Sequence, residues 1–474
     1  MTAATGRSTL QSIATTSDRL AVVDGCLAID GHAARALLAR FGSPLYVAVE
    51  DTLRANYRRL AAAFGGCWPA PVTVMYAIKA NSALAIRALM SQEGAGGDCF
   101  GLGELRASLD GGTDPARMVM NGSDKSSAEI AAAVDAGIIV NVDAVDEIDR
   151  IEARAAATGR RARVNLRLKV LPPALDAYSG QFFKSAESMQ AAVRRAKWGF
   201  TEAAALPLVA RMSMSPHLDF LGYSCHVGRF SAQPDAFALV ARAVGEAAVR
   251  LHAATGAWPR MLDLGGGWPR QREPESRSPA PNPHPIEAYA GATTEALAEA
   301  LASGTAAGLP LPELWLEPGR YLVGNGVLLL ATVGTIKRDA GFAWAHVDAC
   351  TNHLMRIDTS QAWHAILPAS RMDAPYVEAM QVVGGTCIPS VLGADRMMPA
   401  LRAGDALAIL DAGMYADAIA NQFNGVPRPA TVLVCATGAD VIRRRETLDD
   451  LFARDAIPAR LQSHPKRSAD ADPQ

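Results

Sequence analysis

The sequence predicts an α/β protein that combines a (β/α)8 TIM-like barrel with a C-terminal antiparallel β-domain. From about residue 72 to residue 320, short apolar segments alternate with segments whose apolar residues recur at the helical spacing i, i+3, i+4. Eight strand–helix units in series are typical of a (β/α)8 barrel, whose active site lies at the carboxyl ends of the strands. After Arg320 the apolar segments follow one another closely and are separated by glycine and aspartate, which is typical of antiparallel strands.

The strands predicted for the barrel are, in chain order, VTVMYAIK, GGDCFG, MVMNG, GIIVNVD, ARVNLRLKV, FLGYSCHVG, MLDLGGG and LWLEPGR. Between them, amphipathic segments such as SSAEIAAAVDAG end in glycine, which favours the end of a helix. The strands predicted for the second domain are GVLLLATVGTIKR, FAWAHVDA, YVEAMQVVGG, DALAILDA and ATVLVCATG. Near the amino terminus, LAVVDGCLAIDGH predicts a hairpin that joins this domain.

These elements divide the chain into four predicted parts. Residues 1–45 are expected to join the β-domain, residues 46–325 to form the barrel, residues 326–460 to form the β-domain, and residues 461–474 to be a disordered tail. The Pro-, Ser- and Arg-rich stretch RQREPESRSPAPNPHP, which follows Trp268, predicts a long loop.

The composition excludes several classes of function. Of the 474 residues, 50% are hydrophobic and 20% are charged, and a formal net charge of −2 without a basic patch argues against binding to nucleic acid or to an anionic membrane. No apolar run is long enough to span a bilayer and the first residues lack the apolar core of a signal peptide, so we expect a cytoplasmic protein. The seven cysteines include no CxxC pair, so we expect neither a disulfide framework nor a metal site.

Polar and glycine-rich groups follow the predicted barrel strands. Taken singly, a lysine at a strand end usually reaches water, a run of glycines is usually a turn and a histidine is usually a core residue. Because the strand ends of a barrel converge on one face, together they predict a site with a lysine, a backbone cradle for an anion, a histidine and a carboxylate. This combination suits pyridoxal 5'-phosphate. The groups are Lys79, Asp98, Asn121, His226, Gly228, Gly265, Gly266, Gly267, Glu317, Gly319 and Arg320.

Seven motifs stand in the order found in a known family: YAIKAN, GGDCFGLGEL, CHVGR, LDLGGG, EPGRYLV, GGTC and DAGMYADAIANQFNGVPRP. They resemble the motifs of the diaminopimelate and ornithine decarboxylases, which are pyridoxal-phosphate enzymes of fold type III, the alanine-racemase-like fold. The resemblance runs from about Pro44 to Val434. It implies the barrel and β-domain inferred above, decarboxylation of a small-molecule amino acid, and a homodimer with active sites at the subunit interface.

The resemblance also implies a role for each matching residue. Lys79 would form the Schiff base with the cofactor, His226 would stack on the cofactor ring, and Glu317 would pair with the pyridine nitrogen. Cys387 would cross the dimer interface and protonate the α-carbon after carbon dioxide leaves. The remaining residues expected to bind the cofactor, several of them at its phosphate, are Asp98, Gly228, Gly265, Gly266, Gly267, Gly319, Arg320 and Tyr415.

Departures from these relatives bear on the substrate. Where the family carries an acid after the cysteine, this chain has Ile388, which cannot pair with the distal ammonium of a diamine. Asp395 would take that place only if its loop folded back. Arg229 replaces a serine in CHVGRF and would meet a substrate carboxylate, add to phosphate binding or face solvent. Arg356 matches the family's substrate-carboxylate arginine, and Tyr415 is expected beside the substrate as well as the phosphate.

The sequence therefore predicts a pyridoxal-phosphate-dependent decarboxylase for an acidic or conjugated amino acid, of the kind used in siderophore or other specialised pathways. Diaminopimelate decarboxylase of lysine biosynthesis is one alternative. A fold-type III racemase or lyase is another, and a cofactor-carrying regulator without activity is a third. Cys387 favours a decarboxylase, because decarboxylation needs a proton donor whereas racemisation needs a base on the second face of the α-carbon.

Overall fold

The computed structural model describes residues 4–15, 18–178, 188–226, 233–273 and 281–462. The chain begins with helix α1 (Gly6–Ile13) and continues into a small antiparallel sheet. The strands of this sheet are β1 (Leu20–Val23), β2 (Cys26–Ile29) and β3 (His32–Ala33). The elements that lead into the barrel are helix α2 (Ala34–Phe41), strand β4 (Leu45–Val49) and helix α3 (Glu50–Cys67).

Eight parallel strands close into a barrel, and each overlaps one of the eight predicted segments, so the predicted barrel is confirmed. Neighbours along the chain are neighbours in the barrel, and the last strand pairs with the first. The residues of these strands are mostly apolar, because both faces of a parallel sheet are covered. The strands are β5 (Val72–Ala77), β6 (Gly96–Phe100), β7 (Met118–Asn121), β8 (Ile139–Val142), β9 (Ala162–Arg167), β10 (Leu218–Ser224), β11 (Met261–Asp263) and β12 (Glu313–Leu316).

The helices around the barrel follow from local sequence signals. In the helix after β7, Ser126 accepts a hydrogen bond from the Glu129 amide, the Glu129 side chain accepts from the Ser126 amide, and Gly137 ends the helix with a φ of 75°. These helices are α4 (Leu84–Gln92), α5 (Gly101–Asp110), α6 (Ser127–Ala136), α7 (Val145–Thr158), α8 (Met189–Arg195), α9 (Glu202–Met214), α10 (Pro234–Thr255) and α11 (Ile286–Ala306).

The rest of the chain builds a second domain around a large sheet, with helices at its edges. The strands are β13 (Val327–Asp339), β14 (Phe342–Val347), β15 (Ile366–Leu367), β16 (Glu378–Val383), β17 (Val391–Met398), β18 (Ala406–Ile409), β19 (Ala430–Cys435) and β20 (Gly438–Arg443). The helices are α12 (Arg320–Val323), α13 (Arg356–Ser360) and α14 (Leu448–Phe452).

The sheet of the second domain is mixed rather than purely antiparallel. Its order is β17-β16-β14-β13-β4-β19-β20, with β18 and β15 joined at β13. Two neighbouring pairs run parallel, β14 with β16 and β4 with β19. Strand β4 (Leu45–Val49) therefore belongs to this sheet, although the sequence boundary at residue 46 assigned most of it to the barrel. A fully buried run of five apolar residues does not reveal which strands it pairs with.

The predicted hairpin forms as β1 and β2, but it pairs with β3 and not with the large sheet. It contacts the second domain through backbone hydrogen bonds, from the Leu27 amide to the Ala369 carbonyl and from the Met372 amide to the Gly25 carbonyl, both 2.7 Å long. Residues 274–280 of the predicted loop and residues 463–474 of the predicted tail lie outside the described residues. No helix in the described ranges is both long and apolar enough to cross a membrane.

A buried ion pair joins the carboxyl ends of β7 and β8. Lys125, 2% exposed, donates from Nζ to the Gly122 and Asn141 carbonyls at 2.7 Å each and to Glu147 Oε2 at 3.0 Å. Burial lowers the pKa of Lys125 from its usual value, and the adjacent Glu147 partly offsets this. The pair thus fixes the ends of two neighbouring barrel strands.

We expect Glu147→Gln to lower the free energy of unfolding by about 3 kcal/mol, because it leaves the Lys125 ammonium buried without its counter-ion. Urea unfolding followed by circular dichroism measures the change. The matched control is Glu287→Gln, which breaks an exposed pair with Arg59 and is expected to cost less than about 1 kcal/mol. Equal losses in the two variants would contradict the assignment of Lys125 and Glu147 as a stabilising buried pair.

Candidate active site

A cavity of about 580 Å³ opens at the carboxyl ends of the barrel strands. Many of the residues predicted from the sequence line it, and it also takes in residues from the second domain. Ligand cavities of this size are common in enzymes. The predicted residues that line it are Lys79, His226, Gly267, Glu317, Gly319, Arg320, Arg356 and Tyr415.

Lys79 follows β5 in a single helical turn, Ile78–Ala80. Its Nζ donates to Asp98 Oδ2 at 2.6 Å and lies 4.4 Å from the centre of the Phe100 ring. Burial by itself lowers the pKa of Lys79, but the negative charges of Asp98 and Glu317 outweigh burial, so the pKa is raised above its usual value. Lys79 is therefore an ammonium when the site holds no other ligand.

A chain of amide side chains supports the carboxylates that face Lys79. Asn121 Nδ2 donates to Asp98 Oδ1 at 2.8 Å and to Glu317 Oε1 at 2.5 Å. Asn141 Nδ2 donates to Asn121 Oδ1 at 2.9 Å, and Asn165 Nδ2 donates to Asn141 Oδ1 at 3.0 Å. Each amide fixes the orientation of the next, so Asn121 presents its donor side to both acids.

The sequence analysis named Asn121 but missed Asn141 and Asn165. A signal was available, because one asparagine stands in each of three consecutive predicted strands: MVMNG, GIIVNVD and ARVNLRLKV. In the structure Asn141 and Asn165 are register partners in the parallel strands β8 and β9. Polar side chains at matching positions of buried parallel strands must bond to one another, since no water reaches them.

Glu317 and Asp263 form a second group of buried acids. Burial raises the pKa of Glu317, and the charge of Asp98 raises it further. The pKa of Asp263 is raised well above its usual range by burial and by the neighbouring charge of Glu317, while the Gly265 amide donates to Asp263 Oδ1 at 2.8 Å. Burial and the neighbouring charge of Glu317 thus both favour the protonated form of Asp263.

His226 is held as a neutral imidazole. Burial lowers its pKa well below the usual value, and the positive charges of Lys79 and Arg167 lower it further. The Gly266 amide donates to Nδ1 at 2.8 Å, so Nδ1 is the acceptor and Nε2 carries the proton. The ring presents a neutral flat surface at the edge of the cavity.

The three glycines after β11 allow two strand ends to approach closely. Gly265 has a φ of +70°, and a Cβ there would lie 2.6 Å from His226 Nδ1. A Cβ on Gly266 would lie 2.2 Å from the Glu317 carbonyl oxygen. The amides of Gly265 and Gly266 are engaged with Asp263 and His226, and Gly267 is the member of the three that lines the cavity.

Arg320 begins α12 directly after Gly319 and lies in the cavity wall. Its Nη1 donates to Glu273 Oε2 at 3.0 Å, and both side chains are buried. Glu273 was not identified from the sequence, because it lies in a stretch that was predicted as a loop.

Only some of the residues proposed to bind the substrate line the cavity. Arg356 and Tyr415 line the cavity, with the Arg356 guanidinium 5.1 Å from the centre of the Tyr415 ring. Cys387 and Ile388 are exposed and are not among the described residues that line the cavity; the Cys387 amide donates to Asn424 Oδ1 at 3.0 Å. Asp395 lies in β17, where its carboxylate accepts a hydrogen bond from Gln381.

Gly228 and Arg229 lie in 227–232, outside the described residues. Arg167, at the end of β9, lines the cavity and was missed by the sequence analysis although it lies in a predicted strand. It is buried, its Nη1 lies 4.0 Å from Asp143 Oδ2, and its guanidinium lies 5.7 Å from the centre of the Trp198 ring.

The donor set fits pyridoxal phosphate. Lys79 offers an amine at the centre of the cavity, and the buried Glu317 offers a carboxylate for a protonated ring nitrogen. Gly267, Gly319 and Arg320 also line the cavity, and glycine backbone together with a guanidinium suits a phosphate. The close packing of Gly265 and Gly266 leaves no space there for a side chain.

Proteins of known family are similar to this chain over most of its length. Residues 50–324 match the family described as pyridoxal-dependent decarboxylase, pyridoxal binding domain. Diaminopimelate decarboxylase of Methanothermobacter thermautotrophicus is 36% identical over 439 residues, which are 92% of this chain and 97% of that protein. The Mycobacterium tuberculosis enzyme of the same name is 33% identical over 454 residues, 93% of this chain and 96% of that one.

Solved structures of diaminopimelate decarboxylases are also similar to this chain. The structure of diaminopimelate decarboxylase from M. jannaschii in co-complex with L-lysine has a TM-score of 0.83 and 29% sequence identity, and the match covers 94% of this chain and 99% of that one. Diaminopimelate decarboxylase from Helicobacter pylori complexed with L-lysine has a TM-score of 0.76 and 26% identity over 88% of this chain and 98% of that one.

We expect Asp98→Asn to make Lys79 react faster with a neutral acylating reagent at pH 9 in the cofactor-free protein, by about tenfold. Asp98 favours the ammonium, so its neutralisation lowers the pKa of Lys79 and increases the fraction of free amine. Peptide mass spectrometry measures the rate, with the exposed Lys337 as internal reference. The control Asp110→Asn changes a carboxylate paired with Arg106 on the surface and should leave the rate unchanged; an unchanged rate in Asp98→Asn would refute the electrostatic assignment.

Proposed function

The chain belongs to the pyridoxal-dependent decarboxylase family, and from this premise we propose that it decarboxylates diaminopimelate at the cavity around Lys79. Its activity class is that of a pyridoxal-phosphate-dependent amino-acid decarboxylase. The observation that carries the choice of substrate is the similarity to diaminopimelate decarboxylases over more than nine-tenths of the chain. The same relatives favour this alternative over the acidic or conjugated substrate predicted from the sequence, and they give no support to a racemase.

The roles of individual residues follow from their positions. Lys79 provides the amine that would hold the cofactor, and Asp98 orients that amine through the 2.6 Å hydrogen bond from Lys79 Nζ. Glu317 holds a proton at the ring nitrogen, and His226 packs its neutral imidazole against the ring face. Bound pyridoxal phosphate supplies an aldehyde that reacts with amines and a conjugated ring that accepts the electrons left by carbon dioxide.

The phosphate is assigned to the wall formed by Gly267, Gly319, Arg320 and Tyr415. Gly265 and Gly266 act by letting that wall approach His226 and Glu317. The Asn121 side chain keeps Asp98 and Glu317 apart while it donates to both. This arrangement excludes bulk water from Asp98, which is fully buried, and so strengthens its interaction with Lys79.

The described lining of the cavity carries more cations than carboxylates. Glu317 is the only carboxylate among the described residues that line the cavity, whereas Lys79, Arg167, Lys169, Arg320 and Arg356 contribute cations. Arg356, beside Tyr415, is the candidate for the distal carboxylate of diaminopimelate. Apart from Glu317, which is assigned to the ring nitrogen, the described lining residues of the same subunit offer no carboxylate for the distal ammonium.

We infer a homodimer in which a second subunit completes the site. Cys387 and Ile388 are exposed and away from the cavity of their own chain, yet the family places its proton donor at the position of Cys387. Exposed apolar side chains lie next to Cys387 and in the segment that contacts it through Asn424, namely Ile388, Ile419 and Phe423, with exposures of 38%, 41% and 45%. Such a group is typical of a subunit interface.

A second candidate function is decarboxylation of an acidic or conjugated amino acid, and Ile388 favours it. An isoleucine at this position supplies no counter-charge for a distal ammonium, whereas the cations of the cavity suit a distal carboxylate or a conjugated acid. The two candidates share the same chemistry at Lys79 and differ only at the far end of the substrate.

Carbon dioxide release by the protein saturated with pyridoxal phosphate separates the two candidates. The substrates are meso-diaminopimelate, lysine, ornithine, arginine, glutamate and a citryl-conjugated diamino acid. We expect turnover of meso-diaminopimelate at least about tenfold above every other substrate, since one well-placed ion pair gives that discrimination. Turnover of the conjugated acid alone would establish the second candidate, and release from none of them would refute both.

Mixing two inactive variants tests the shared site. Lys79→Ala and Cys387→Ala are each expected to lose most activity, but subunit exchange between them should restore about a quarter of the wild-type rate, because half of the dimers are hybrids with one intact site of two. The control mixes two differently tagged batches of Lys79→Ala and should stay inactive. A mixture without recovery, despite proven exchange, would contradict the placement of the partner's Cys387 at the site.

A further inference from the structure

The segment Trp268–Glu273 follows the glycine cradle and carries buried charges that the proposed chemistry does not use. Arg272, near its carboxyl end, forms a bidentate pair with Asp411, from Nε to Oδ2 and from Nη2 to Oδ1 at 2.9 Å each. Its Nη1 donates to Asp18 Oδ2 at 2.6 Å and to the Ile13 carbonyl at 2.7 Å. One guanidinium therefore ties the segment to the N-terminal part of the chain and to the second domain.

These contacts are buried and fully paired. Asp18 and Asp411 are 2% and 4% exposed, and Asn325 also donates to Asp18. A guanidinium with two carboxylates in such a place holds a fixed geometry, because no other group of the chain satisfies its donors as well. Breaking one contact would leave a charge without water or a partner.

The next residue, Glu273, holds the candidate phosphate ligand. Glu273 Oε2 accepts from Arg320 Nη1 at 3.0 Å, and Glu273 Oε1 accepts from the Arg270 amide at 2.9 Å. Arg270 in turn donates to the Tyr321 carbonyl in the same short helix as Arg320. The guanidinium at the cavity wall is thus oriented by the segment that Arg272 anchors.

Asp411, the partner of Arg272, lies in the segment that leads to Tyr415, the second side chain proposed to bind the phosphate. The chain runs from Asp411 through Gly413, whose amide donates to the Gly324 carbonyl at 3.0 Å, to Tyr415, whose amide donates to the Ala80 carbonyl at 2.8 Å. Arg320 follows the last barrel strand, whereas Tyr415 follows strand β18. Arg272 is linked to Arg320 through its neighbour Glu273 and to the segment of Tyr415 through Asp411. A single residue is therefore in a position to align both.

We propose that Arg272 is a positioning residue for the cofactor phosphate: by clamping Trp268–Glu273 between Asp18 and Asp411, it sets Arg320, through Glu273, and Tyr415 at the distance that one phosphate requires. This inference rests on the proposed binding of pyridoxal phosphate in the cavity. It assigns Arg272 no contact with the cofactor, so its effect must be specific for the phosphate and not for the pyridine ring.

The test compares pyridoxal phosphate with pyridoxal, which lacks the phosphate, on the full-length protein freed of cofactor. Dissociation constants are measured by the absorbance of the bound chromophore. Arg272→Met should weaken binding of pyridoxal phosphate by about tenfold, equivalent to the loss of one charge-assisted hydrogen bond, and leave that of pyridoxal unchanged. Arg272→Lys keeps the charge without the planar fork and should weaken pyridoxal phosphate by a smaller factor.

The matched control is Arg59→Met, which breaks an exposed pair with Glu287 and should alter neither constant. Because Arg272→Met leaves two buried carboxylates without a cation, Arg272→Lys decides the question if the methionine variant does not fold. An unchanged ratio of the two dissociation constants in the folded variants overturns the proposal. A wild-type protein that binds both ligands equally would instead refute the assignment of the phosphate to this wall.

Discussion

The ammonium of Lys79 lies against the fully buried carboxylate of Asp98 at the mouth of the barrel, 2.6 Å away. A carboxylate this far from water is stable only when its remaining hydrogen-bonding positions are filled. Much of the surrounding structure meets that requirement. Asn121 fills positions on both Asp98 and Glu317, and the amides of Asn141 and Asn165 hold Asn121 in the one orientation that does so.

The same requirement distributes protons among the neighbouring groups. Three acids lie near one lysine, and burial favours the neutral form of an acid that has no cation of its own. Asp263 is in that position and has a raised pKa, whereas Asp98 has Lys79 as its partner. The pKa of His226 is lowered by burial and by the cations close to it, so the ring adds no charge to the site. The result is one ammonium and a neutral ring placed around an acidic interior.

The described lining of the cavity combines Glu317, Lys79 and arginines with an apolar surface that includes Val170, Val193 and Trp198. A single chain leaves Cys387 and Ile388 on the exterior, which is the physical reason for inferring a second subunit. The buried side chains of Arg272 and Glu273 link Asp411 of the second domain to Arg320 in the cavity wall. A change in how the domains pack would therefore also move the side chains proposed to bind the phosphate.

The sequence by itself determined the order and type of the barrel strands, because parallel strands and amphipathic helices are marked by local apolar periodicity. It also located Lys79, His226, the three glycines and Glu317 at strand ends, since strand ends converge on one face of any barrel. What it could not determine depends on residues far apart in the chain. The pairing of β4 with β13 and β19, the amide chain behind Asp98, and the partnership of Arg320 with Glu273 were decided only by the tertiary structure. The charge states of the site residues also depend on the tertiary structure, because a pKa responds to burial and to neighbouring charges that no local pattern encodes.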